Sequence, residues 1–149
     1  MINKLRKDLR LDEGVVHEIY LDHLGLPTAG CGHLLVESDP EYGLPVGTKI
    51  SEKRVDEWFA IDLSNCLQDC KNIFMNWDEL PDEAQCILAN MCFNLGATRL
   101  RKFKRMIDAI HREDFAAAAA EMLDSRWAEQ VPNRAQRLIR RMRQLDDER

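Results

Sequence analysis

The chain has no long hydrophobic run. No stretch approaches the roughly 18 apolar residues of a membrane-spanning helix, so no membrane insertion is expected. The opening residues, MINKLRKDLRLDEG, are charged throughout and lack the apolar segment of an export signal. The expectation is a chain made and folded in a cytoplasm, with any export helped by a partner. Aromatics are sparse and do not interleave with basic residues. No nucleic-acid motif is present, and no nucleic-acid partner is expected. The five cysteines, Cys31, Cys66, Cys70, Cys86 and Cys92, form no C-x-x-C pair. No histidine stands at ligand spacing to them. An odd count leaves at least one unpaired within the chain. Cys66 and Cys70, four apart, share a face if their segment is helical. They read as small core residues in a reducing compartment, with no metal and no other cofactor expected. There is no internal repeat.

What is present suits a folded globule. A length of 149 residues allows one domain, of two lobes, with a real core. An apolar share of 45% against 32% charged residues excludes a disordered chain. The net charge of −5 is unevenly spread. Residues 1–30 are nearly balanced, residues 31–96 are strongly acidic, and residues 97–149 carry 13 basic against 9 acidic side chains. A basic C-terminal half on an acidic chain suits a polyanionic partner, and equally suits solvated helix faces.

Helical spacing of Ile2, Leu5 and Leu9 predicts a first helix from Asn3 to about Asp12, with Glu13 at its end and Gly14 as C-cap. From Val15 to Val36 the period changes. Short β-prone pieces separated by Gly25, Pro27, Gly30 and Gly32 predict a small antiparallel sheet. ESDPEYGLPVGTK reads as a loop. Ser51 then opens a helix of about 22 residues, on the recurrence of Val55, Trp58, Phe59, Asp62, Cys66, Leu67, Cys70 and Phe74. Pro81, at the first helical position, starts a helix that is apolar through CILANMCFNLG, should be the buried centre of the C-terminal lobe, and ends at Gly96. Helices are expected over 100–111, 114–123, 125–129 and 132–145. The alanine run of FAAAAAEML is good helix former. The class is α+β, mostly helical. The lobes are expected at about 13–60 and 75–149, the latter with helix 1–12, joined by a connecting helix at about 51–74.

The chemistry concentrates in LRLDEGVVHEIYLDHLGLPTAGCGHLL. Glu13 meets the negative end of the helix dipole, an unfavourable placement worth about 0.3–1 kcal/mol. Such a placement raises the proton affinity of a carboxyl group, and burial raises it further. A Glu kept protonated is a general acid. Alone, Glu13 is a surface side chain. Asp22 lies nine residues on, at a strand end, and Thr28 six further, before a glycine-rich turn. A helix end feeding a hairpin can bring the three around one cleft. Two carboxylates, one neutral and one ionised, are the equipment for glycosidic cleavage, and a hydroxyl can position water.

LRLDEG, IYLDHLG and PTAGCGHLL resemble the phage-type lysozyme family, glycoside hydrolase family 24. ANMCFNLG and SRWAEQVPNRAQRLI extend the resemblance over nearly the whole chain. It implies a mostly helical lysozyme-like fold and a muramidase that cleaves the β-1,4 bond between N-acetylmuramic acid and N-acetylglucosamine in peptidoglycan. Glu13 matches the general acid, Asp22 the second carboxylate, and Thr28 the residue that helps hold the attacking water. Inversion is implied, which fits a carboxyl separation of roughly 6.5–9.5 Å rather than about 5–5.5 Å. His33 matches a histidine paired with an aspartate on the long helix, here Asp62, in a supporting role. Leu34, Phe93, Asn94 and Phe103 match positions lining or supporting the saccharide site. By themselves the two phenylalanines read as core. Trp127 and Gln130 match positions behind the active site, and a buried Trp127 needs a partner for its N–H. Arg134 matches an arginine reaching the catalytic Glu. Without the resemblance it would read as a surface helix residue. Asn90, mid-helix in an apolar run, must be satisfied by hydrogen bonds.

The acidic net charge departs from the basic character common among phage lysozymes, which helps them find an anionic wall. Asn94 stands where the best-known member has glutamine. The resemblance implies an endolysin, a monomer held in the host cytoplasm until a holin-type partner releases it to peptidoglycan in the periplasm. The alternatives are a virion-associated lysozyme for entry and an inactive wall-binding module. The absence of a tail-fibre or β-helix segment favours the free enzyme.

Overall fold

A computed structural model describes residues 1–147, so the last two positions of the expected domain lie outside the described residues. The chain is α+β, with eight α-helices and a three-stranded antiparallel sheet among the described residues. It divides into two compact units, Arg6–Asn65 and Met1–Leu5 with Cys66–Arg149. The division falls inside two helices, α1 (Ile2–Glu13) and α2 (Glu52–Ile73). The sequence expectation assigned helix 1–12 whole to the C-terminal lobe. The structure instead joins Arg6 onward to the sheet.

In the sheet unit, β1 (Val16–Leu21), β2 (Pro27–Gly30) and β3 (His33–Leu34) pair in that order. Tyr20 sits opposite Thr28 and Leu21 opposite Pro27, with a bulge between Val16 and Tyr20. The hairpin turns because Asp22 Oδ1 accepts from the backbone N–H of Leu24 and Leu26, at 2.8 and 2.9 Å. Ile19, Ala29, Leu35, Ile50, Val55 and Trp58 form the unit's apolar core, with Val15 packed against it. The expected loop before Ser51 is partly ordered by β1. Ile19 N–H donates to Thr48 O and Ile50 N–H to His17 O, and Glu18 bridges Lys49. Arg54 holds the same loop through a two-pronged contact with Glu41 at 2.7 and 3.1 Å. Its guanidinium lies 4.8 Å over the Trp58 ring.

α2 starts where expected, with the Ser51 hydroxyl accepting from Arg54 N–H at 3.1 Å. In the helical unit, α3 (Asp82–Leu95) is the buried centre, with ten of its 14 residues buried. Pro81 precedes it by one position, because its extended ψ of 148° makes it the N-cap and not the first helical residue. Gly96 closes α3 at φ +82°.

The expected helix over 100–111 is two helices, α4 (Ala97–Leu100) and α5 (Lys104–His111). Phe103 breaks the path with ψ 57°, after tight bonds from Lys102 N–H to Arg99 O and from Phe103 N–H to Leu100 O. Then follow α6 (Phe115–Leu123), capped by Asp114, α7 (Arg126–Gln130), capped by Ser125, and α8 (Pro132–Asp147). The alanine run lets α6 press closely on α8 and α5. Lys4 and Arg141 both reach Glu83, tying the chain's first turn and α8 to α3.

Candidate active site

Glu13 is the last residue of α1 and half-buried. Gly14 ends the helix at φ +71°, its N–H donating to Arg10 O at 3.0 Å. This left-handed cap turns the chain into β1 and leaves the Glu13 carboxyl at the helix's negative end. Gly32, in the turn before β3, lies against that carboxyl. A Cβ added there would stand 3.5 Å from Glu13 Oε2. The glycine therefore does two things: it takes φ +69° and leaves the acid uncrowded. Asp12 is half-buried.

Asp22 stands at the end of β1, and its two backbone donors engage Oδ1 only. Thr28 is buried on β2, 4% exposed, and its hydroxyl donates to Leu26 O at 3.0 Å. A hydroxyl oriented this way offers its lone pairs, not its proton, to a bound water. Tyr20 links the set. Its phenol titrates above the ordinary value, through burial first and then through the negative charges of Glu13 and Asp22. Both acids therefore act on one phenol, and that residue is the strand partner of Thr28. Tyr20 escaped the sequence argument. The signal was its place at position i−2 from Asp22, on the same strand face.

His33 is clamped from both sides. Nδ1 lies 2.7 Å from Asp62 on α2, and Nε2 lies 3.0 Å from Asp39 in the loop. Its ring stacks on Trp58 at 4.5 Å between centroids. Burial lowers its proton affinity, but the bonds to Asp62 and Asp39 and their charges outweigh this, so the net shift is upward. Asp39 is shifted the other way. Burial alone would raise it, and the Val36 N–H, His33 and Arg54 together lower it. Asp39 was not singled out in the sequence, because a loop aspartate six residues from a histidine has no periodic signature. Leu34 is exposed on β3.

The remaining candidates belong to the helical unit. Phe93, Asn94 and Phe103 are half-buried. Trp127 is buried, and its indole N–H donates to Asn94 Oδ1 at 2.8 Å. Gln130 accepts from Arg99 at 3.0 Å. Phe103, Trp127 and Gln130 line a depression of about 620 Å³. Arg134 is buried and donates through Nε to Asn90 Oδ1 at 2.8 Å and through Nη2 to Asn90 O at 3.4 Å. Asn90 thus finds a hydrogen-bond partner on α8.

A helix ending in an acid, then a small antiparallel sheet with a second acid in its hairpin turn and a buried hydroxyl on its middle strand, and then a mostly helical remainder, make a lysozyme-like α+β arrangement. Comparison with known sequences places the chain within that class. The phage lysozyme family model matches residues 11–144, and the chain belongs to that family. A probable T4-type lysozyme of Dictyostelium discoideum is 29% identical, with 93% of each chain covered. The pre-baseplate central spike protein Gp5 of Enterobacteria phage T4 is 29% identical over 87% of this chain but only 26% of its own length. The peptidoglycan hydrolase gp36 of Pseudomonas phage phiKMV is 29% identical over 92% of this chain and 15% of its own. The domain therefore occurs both as most of a protein and as a small part of larger ones.

Proposed function

We propose that the chain is a muramidase, hydrolysing the β-1,4 bond between N-acetylmuramic acid and N-acetylglucosamine in peptidoglycan. The observation that carries this reading is the placement of Glu13 at the end of α1, of Asp22 in the turn after β1 and of buried Thr28 on the paired strand β2. Family membership and the wall-degrading phage relative support it. Glu13 protonates the leaving oxygen. Asp22 takes the proton of a water that attacks from the opposite face of the sugar, through Oδ2, since Oδ1 already serves the turn. Thr28 accepts a hydrogen bond from that water. The anomeric centre inverts, which requires a carboxyl separation of roughly 6.5–9.5 Å. We assign Leu34, Phe93, Asn94 and Phe103 to contacting or supporting the saccharide, and His33, Asp62, Trp127, Gln130 and Arg134 to supporting roles.

The role we assign is that of an endolysin, a monomer that lyses the host from within. A holin-type partner would carry it from the cytoplasm to the periplasmic wall. No helix among the described residues is long and apolar enough to cross a membrane. The Gp5 relative favours a second reading, a lysozyme carried on the virion for entry.

The test is clearing of a suspension of bacterial walls. The wild type clears it, and Glu13→Gln lowers the rate by about 10²-fold or more while its thermal midpoint holds or rises. Equal clearing by both would remove Glu13 from the mechanism. No clearing by either, with walls still bound, would favour a binding module.

A further inference from the structure

Three of the five cysteines converge. Cys66 and Cys70 lie one turn apart on α2, and Cys92 lies on α3. Their sulfur atoms all stand within 4.8 Å of one another, and all three side chains are buried. This cluster belongs wholly to the helical unit and has no part in the muramidase reading. Cys31 and Cys86 stand outside the cluster.

Core packing alone does not require this convergence. A small apolar side chain fills space wherever its methyl group fits, and three cysteines spread over two helices need not aim their sulfurs at one point. Cys66 Sγ reaches Ala89 O at 3.3 Å, and Cys92 Sγ reaches Cys66 O only at 3.9 Å. Around a tetrahedral or trigonal ion with metal–sulfur bonds of about 2.3 Å, the sulfurs sit about 4 Å apart. The observed spacing thus needs little contraction. Three soft thiolates with no imidazole select thiophilic ions over Mg²⁺ or Ca²⁺.

We propose that Cys66, Cys70 and Cys92 form a structural site for one thiophilic divalent ion, zinc in the cell, that staples α2 to α3. Binding releases the three thiol protons to solvent, and no electrons change hands. Three thiolates and one divalent ion leave a single negative charge. The burial of the cluster makes metal entry depend on folding or local opening, as is common for structural sites.

The experiment refolds the reduced full chain from denaturant with Zn²⁺ or Cd²⁺, desalts it, and weighs it intact by native mass spectrometry. One ion per chain is expected, with a thiolate-to-cadmium charge-transfer band in the ultraviolet. The thermal midpoint should rise by about 5 °C or more over the metal-free chain. Cys31→Ala and Cys86→Ala should retain the ion. Cys92→Ala and Cys70→Ala should each weaken binding by about a hundredfold or more, beyond the loss usual for an outer-shell change. The wild type alone decides the matter if those variants fail to fold. Natively folded wild type that retains no ion overturns the proposal. So does equal retention by a folded Cys92→Ala chain. A chain lighter by two hydrogens and free of metal also overturns it, in favour of a disulfide.

Discussion

His33 Nδ1 and Asp62 Oδ2 lie 2.7 Å apart, joining the sheet's third strand to α2. Asp39 holds the other ring nitrogen at 3.0 Å, so one imidazole fastens a loop, a strand and a helix. Its titration gives a pH-dependent stability. The folded-state proton affinity of His33 is raised above the ordinary 6.5. Its contribution is therefore full below that value and lost as pH climbs through the raised one. Asp39 is lowered from the ordinary 3.8. Its contribution is present above that value and lost as pH falls through the lowered one. Both are at full strength between the two ordinary values. Melting of the wild type and His33→Asn between about pH 5 and pH 9 checks this. The wild type should lead by about 1.5–3 kcal/mol at the acidic end, and the lead should shrink as pH rises. A constant difference would mean that the histidine acts by shape alone.

Asp22 is a turn acceptor at Oδ1, and the proposed mechanism gives it a second, separable duty as a charge at the reaction. Asp22→Asn keeps the acceptor and removes the charge. It should hold the melting temperature while slowing wall clearing by about 10²-fold or more. Asp22→Ala removes both and should cost a further 0.5–1.5 kcal/mol or so of stability. Clearing by Asp22→Asn at the wild-type rate would take the carboxylate out of the water-activating role.

Arg54 joins Glu41, Glu57 and the Trp58 ring. Arg54→Ala should destabilise the sheet unit by about 1–3 kcal/mol in denaturant titration. Arg54→Lys should recover less than half of this, because an ammonium cannot match the two-pronged contact or the flat stacking. Full recovery by lysine would reduce the contact to a simple charge effect.

These predictions mark what the sequence could and could not disclose. The end of α1 at Glu13, the Ser51 cap and the buried α3 were legible because each rests on local chemistry or on an apolar period. The break at Phe103 was hidden, since Leu100, Met106 and Ile110 keep an apolar pattern through a turn made by backbone bonds alone. The clamp by Asp39 and the pairing of residues 47–50 with β1 depend on how a loop folds back, which no spacing records. The three sulfurs are a similar case. Cys66 and Cys70 declared a shared face, but the approach of Cys92 is a property of two helices packing. At the proposed active site, the candidates Glu13, Asp22 and Thr28 came from their spacing in the sequence. Tyr20 emerged only from the register of β1 on β2.

The bond cleaved tests the account most directly. Purified peptidoglycan is digested, its new reducing ends are reduced with borohydride, and the fragments are identified by mass spectrometry. Proton NMR during digestion records the first-formed anomer. The account predicts new reducing ends on N-acetylmuramic acid, released first as the α anomer. New ends on N-acetylglucosamine, or cleavage confined to the peptide stems, would contradict it.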